Sequence, residues 1–169
     1  MWLVEREHMD RRSWGFLVLA TILGGCSCLN HHHHNQLLVI NVLDPYLYED
    51  CHIKNSINVP FEQLEAFAKE LDRNTQLVLY CSNYLCTASI FGARLLRKMG
   101  FKNVWAYEGG MAEWHQKKMP IEGLAQQSYL TMQTKPVADD GAEKDLVITA
   151  QELEQKMMAL MCGTCTSCG

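Results

Sequence analysis

The chain has 169 residues, 48% of them hydrophobic, and a formal net charge of -4, which is enough apolar material for one domain of ordinary size plus tails. The charge balance is mildly acidic and no basic patch or stripe occurs, which argues against a nucleic-acid partner. Eight cysteines cluster in a leader, a loop and a tail, at positions 26, 28, 51, 81, 86, 162, 165 and 168, a distribution unlike an even disulfide framework.

Residues 1–25 read as a targeting segment. Arg11 and Arg12 precede an uncharged apolar run over 14–23, shorter than the roughly 20 residues a membrane span needs but of the length of a signal h-region. Glu5 and Glu7 spoil a basic n-region, and a start at Met9 restores one. The run closes on Leu23-Gly24-Gly25-Cys26, which resembles the bacterial lipobox. That resemblance implies cleavage before Cys26, a lipid on its thiol, and a domain held at a membrane of the bacterial envelope in an extracytoplasmic compartment; a cytoplasmic protein is the alternative. Residues 26–36 form a polar tether. His31 to His34 lie within it, and four consecutive histidines without finger or helical spacing read as solvated linker before they read as a metal site or a tag.

The domain spans 37–121. A short, mainly apolar run over 36–43 predicts a strand buried on both faces of a parallel sheet. A turn or short helix is expected over 45–50 and a second short strand over 56–59. Phe61, Leu64, Phe67, Ala68 and Leu71 share one face of a helix opened by Pro60. Then come a strand over 77–80, a loop, a helix carrying Ile90, Ala93, Leu95, Leu96 and Met99 to Gly100, a strand over 104–107 and a helix over about 110–117. Strand and helix alternate, which predicts an α/β fold, doubly wound, with a mainly parallel sheet flanked by helices.

Residues 122–144 are expected as a packing helix, over about 121–130, followed by a linker containing Pro136, Asp139, Asp140 and Gly141. Residues 145–169 form a C-terminal helix with a cysteine-rich tail. Residues 145–148 have strand character, and Thr149-Ala150-Gln151-Glu152 is a capping-box pattern for a helix over about 150–161, with Leu153, Met157, Leu160 and Met161 as its apolar stripe. Cys162, Cys165 and Cys168 form two CxxC steps that can chelate a soft metal or cycle between dithiol and disulfide. Three thiolates lack the fourth ligand of a closed zinc site, so no metal is assigned, and no cofactor is implied.

The chemistry concentrates at 81–89. Cys81 follows a strand directly, and Ser82, Asn83, Tyr84, Leu85, Cys86 and Thr87 separate it from a helix. The carboxyl end of a strand is where open α/β sheets bind ligands, and helix-start N–H groups favour an anion there. Such a setting makes Cys81 the expected reactive thiol, its pKa pulled below the usual value of about 8.5; the alternative is an inert core cysteine. Cys86 either resolves a modified Cys81 or fills a small site at the helix start.

Around this loop stand residues 38–44 (Leu-Val-Ile-Asn-Val-Leu-Asp), Cys51-His52, Asn58-Val59-Pro60, Gly100-Phe101, Glu108-Gly109-Gly110-Met111, Trp114 and Pro120. In this order the landmarks resemble the rhodanese family of sulfurtransferases over about 37–121. The resemblance implies that Cys81 is catalytic. It would take a sulfane sulfur from a small donor as a persulfide and pass it to a thiol acceptor or an acceptor protein.

Several departures bear on activity. The family commonly places an arginine five positions after the cysteine, where this chain has Cys86; Asn41 and Leu43 stand for a customary aspartate and arginine, and Cys51 for a glycine. Weak thiosulfate turnover is therefore expected. His52 is read as structural, fixing its turn by hydrogen bonds. Two further classes stay open, a thiol redox protein using Cys81 and Cys86, and a non-catalytic binding module of the same fold.

Overall fold

The structure, a computed structural model, describes residues 36–132 and 144–163, with side chains through residue 160. The leader with Cys26, the tether up to residue 35, the stretch 133–143 and the side chains of Cys162, Cys165 and Cys168 lie outside the described residues.

Four strands make the central sheet: β1 (Leu37–Asn41), β3 (Ile57–Asn58), β4 (Gln76–Tyr80) and β5 (Val104–Tyr107). All pairings are parallel and the order is β3-β1-β4-β5, so β4 lies inside the sheet. Side-chain alternation along β4 explains why its sequence is apolar from Leu77 onward. Leu77, Leu79 and Cys81 enter one core with Leu64, Ala68, Ile90, Ala93 and Leu96, while Val78 and Tyr80 enter a second with Met111, Trp114, Ile148 and Leu153. A strand covered on both sides shows no polar alternation. The first core lies under helices α2 (Leu64–Lys69) and α3 (Ala88–Lys98), and the second under α4 (Gly110–Gln116) and α5 (Ala150–Gly163). Helices on both faces of a parallel sheet are the α/β arrangement expected from the alternation of elements.

Helix α3 sits close against β4 because Gly92 faces it. A Cβ at Gly92 would stand 2.6 Å from Leu79 Cδ2 and 2.9 Å from Leu64 Cδ2. At the other end of the chain, the capping box forms as the residues dictate. The Glu152 N–H donates to Thr149 Oγ1 at 3.3 Å, and the Thr149 N–H donates to Glu152 Oε2 at 2.9 Å. Residues 145–148 add one parallel bridge, Ala106 to Val147, at the β5 edge. None of the described helices is long and apolar enough to cross a membrane.

Two elements differ from expectation. The helix over 61–71 is shorter, a 3-10 turn at Phe61–Gln63 leading into α2. The packing helix expected over 121–130 does not form. Instead β6 (Ile121–Gly123) pairs antiparallel with β2 (Cys51–Ile53), which follows helix α1 (Pro45–Asp50), and a 3-10 turn covers Ser128–Thr131. The cause is tertiary. Asp50 accepts hydrogen bonds from the backbone N–H groups of Ala125 at its carbonyl and of Gln126 and Gln127 at its carboxylate, and Gly123 at φ +104° lets the chain pass within contact of the Asp50 carbonyl. This second ribbon holds His52 in place. Its Nδ1–H donates to the Tyr48 carbonyl at 2.8 Å, and its ring stacks on Tyr48 with centroids 3.9 Å apart, in keeping with a structural role.

Candidate active site

Strand β4 delivers Cys81 to the carboxyl edge of the sheet, and residues 82–87 turn back into α3. Asn83 makes the turn. Its side-chain Oδ1 accepts the Leu85 N–H at 3.0 Å and its carbonyl accepts the Cys86 N–H at 2.9 Å, the Asx-type geometry that short polar side chains favour. The loop also rests on the start of α4. The N–H groups of Met111 and Ala112, which have no partner inside their own helix, donate to the carbonyls of Cys81 and Ser82, each at 2.9 Å.

Gly110 makes that approach close. It has φ +59°, and a Cβ there would fall 2.5 Å from the Cys81 carbonyl oxygen and 2.8 Å from the Asn83 nitrogen. Behind it, Glu113 folds onto Gly109 and accepts the Tyr107 hydroxyl at 2.8 Å. Tyr84 of the loop also hydrogen-bonds Glu113, and burial followed by this carboxylate pushes the Tyr84 phenol up to about 12. The support role of Gly110 and Glu113 is absent from the reading of the sequence, where the Glu108-Gly109-Gly110-Met111 run served only as a landmark.

The Cys81 sulfur is fully buried. It lies 3.0 Å from the Cys86 carbonyl oxygen and 3.4 Å from Ser89 Oγ. Its contact with Cys86, with burial, pushes the Cys81 thiol well above the ordinary range. The same contact brings Cys86 down to about 5; burial opposes this, and the Ala88 and Ser82 N–H groups and the Ser82 hydroxyl reinforce it. The electrostatics thus differ from the expectation for Cys81, whose thiol is pushed up and not down. Cys86 is half-buried and packs against the core that holds Cys81. Cys51 lies in the other core, and burial and then Asp50 raise it to about 11.

This distribution makes a labelling order. At pH 7, limiting iodoacetamide is expected to alkylate half-buried Cys86 ahead of Cys81 and Cys51, as read by peptide mapping. Alkylation rates follow the thiolate and its access. Reaction of Cys81 first would place the charge on the deeper sulfur.

A strand-end cysteine that meets a second cysteine on the loop before a helix defines a site for thiol chemistry at sulfur. Residues 27–117, more than half of the sequence, match the Rhodanese-like domain family, and the chain belongs to that family. Among its relatives, the thiosulfate sulfurtransferase GlpE of Vibrio cholerae serotype O1 is 25% identical over 87 residues, 52% of this chain and 80% of that protein. The protein of that name from Coxiella burnetii is 27% identical over 78 residues, 46% of this chain and 71% of that protein. Among solved structures, the BH2092 protein of Bacillus halodurans is 26% identical, with 54% of this chain and 67% of that chain covered and a TM-score of 0.49. Among the described residues no cluster of three or more histidine, cysteine and acidic side chains is placed to hold a metal.

Proposed function

We propose that this protein is a sulfurtransferase or sulfur carrier that takes a sulfane sulfur onto Cys81 from a small donor and passes it to a thiol acceptor, small or protein. The observation that carries this reading is Cys81 itself, delivered by β4 to the carboxyl edge of the sheet at a loop that turns into α3. Cys81 attacks the sulfane sulfur of the donor, its thiol proton passing to water or to the leaving group. The sulfur–sulfur bond of the donor breaks toward its leaving group, and Cys81 is left as a persulfide. The GlpE relatives support the reaction class.

Mass spectrometry of the full-length protein after incubation with inorganic polysulfide and, separately, thiosulfate tests this. One added sulfur on peptide 74–94, the tryptic fragment with both loop cysteines, is expected in the Cys86→Ser variant, which preserves Cys81 and removes its neighbouring thiol. Absence of any sulfur uptake by that peptide in either protein would exclude the reading.

Thiosulfate is an anion, and position 86 offers a thiol group where the family commonly has a guanidinium. Turnover with thiosulfate should accordingly be weak. Cys86→Arg is expected to raise it by about tenfold or more, since a hydrogen bond to a charged group contributes roughly 1.5 to 3 kcal/mol. Sulfite release is the readout, and an unchanged rate would mean that the arginine cannot reach the donor.

For location, we propose lipid attachment at Cys26 on the strength of the Leu-Gly-Gly-Cys sequence and the uncharged run before it. Expressed in a bacterium, the chain is expected to partition into detergent with its N-terminus at a lipid-modified Cys26. A water-soluble product retaining Met1 or Met9 would favour the cytoplasmic alternative.

A further inference from the structure

The loop brings Cys86 back onto Cys81. The Cys81 sulfur lies 3.0 Å from the Cys86 carbonyl oxygen, and the Cys86 side chain packs against the core that contains Cys81. The loop turn, closed by the Cys86 N–H donating to the Asn83 carbonyl at 2.9 Å, holds the chain folded back in this arrangement. Cys86 is half-buried and neighbouring Leu85 is 69% exposed, so the outer side of the loop opens to solvent. A second sulfur nucleophile therefore stands beside Cys81 on the open side of the loop.

We propose, on the basis of the persulfide reading above, that Cys86 resolves the Cys81 persulfide and makes this protein a dithiol-dependent reductase of sulfane sulfur. The Cys86 sulfur attacks the Cys81 sulfur and forms the Cys81–Cys86 disulfide. The bond from Cys81 to the outer sulfur breaks, and that sulfur leaves with the electron pair as hydrosulfide. Two electrons pass from the cysteine pair to the sulfane sulfur, and the persulfide proton departs with it. A dithiol reductant, small or protein, then supplies two electrons and two protons to restore both thiols. The net reaction converts a sulfane sulfur and a dithiol into hydrosulfide and a disulfide. The persulfide is thus an intermediate, and the co-substrate is a reductant.

A single-turnover experiment distinguishes this from simple transfer. Full-length reduced protein, freed of reductant, receives one equivalent of inorganic polysulfide and is quenched with iodoacetamide, with hydrosulfide measured in parallel. In the wild type, peptide 74–94 is expected to be lighter by two hydrogens and to resist alkylation, with hydrosulfide released in the same proportion. In Cys86→Ser, the peptide is expected to keep one added sulfur on Cys81, with hydrosulfide at the level of polysulfide in buffer. A wild-type peptide that retains its sulfur on Cys81, or carries it on Cys86 without releasing hydrosulfide, would overturn resolution by Cys86 and leave the persulfide reading standing. No sulfur uptake in Cys86→Ser and no disulfide in the wild type would remove both.

Discussion

Cys81→Ser is expected to bring sulfur uptake on peptide 74–94 down to background, even though Cys86 is the thiol brought down to about 5. The reason lies in how that lowering arises. The largest contribution to the Cys86 thiolate is its hydrogen bond with the Cys81 thiol, which acts against the burial of Cys86. Serine is a weaker fit to a sulfur-sized site and cannot form a persulfide, so the variant loses the acceptor and loosens the support of its neighbour together. The measurement is the mass of the peptide after one equivalent of polysulfide. Sulfur recovered on Cys86 of this variant would reverse the two roles and make the half-buried cysteine the first acceptor.

Gly110→Ala should cause the largest loss of stability of any single methyl added near the site. An alanine at φ +59° costs about 1 to 2 kcal/mol through the contact of Cβ with its own backbone. Here Cβ also falls 2.5 Å from the Cys81 carbonyl and 2.8 Å from the Asn83 nitrogen, backbone atoms that cannot rotate away. The start of α4 must withdraw, and the bonds from Met111 and Ala112 to the loop carbonyls, each with a net contribution of about 1 kcal/mol, are lengthened or lost. A total loss of about 3 kcal/mol or more is expected in urea unfolding with an unchanged slope. Gly100→Ala is the control, because Gly100 also has a positive φ, +95°, but has nothing within 4 Å of its Cβ direction. It should show the conformational cost alone. Equal losses in the two variants would mean that α4 does not press on the loop.

The alternation of strand and helix was legible because it rests on local periodicity. The apolar run ending at Tyr80, the helix spacing from Ile90 to Leu96, the turn residues between them and the Thr149–Glu152 cap are interactions of residues within a few positions of each other. Strand β5 and helix α4 fell where the pattern put them for the same reason. These elements, with Cys81 at the end of a buried strand, were determined by the sequence alone, since the unbroken apolar run over 77–80 has to be covered on both faces.

What lay beyond reach depended on partners far along the chain. Residues 121–123 pair as a strand because β2 and Asp50 offer them hydrogen bonds, and neither is visible from the composition of 121–130. Gly110 reads as a turn glycine until the loop carbonyl beneath it is seen. Most consequential is the inward turn of Cys86. The sequence places two cysteines on one loop before a helix, and helix-start electrostatics alone assign the charge to the strand-end sulfur. Only the folded loop sets Cys86 against Cys81, and this neighbour together with burial pushes the strand-end thiol up, not down.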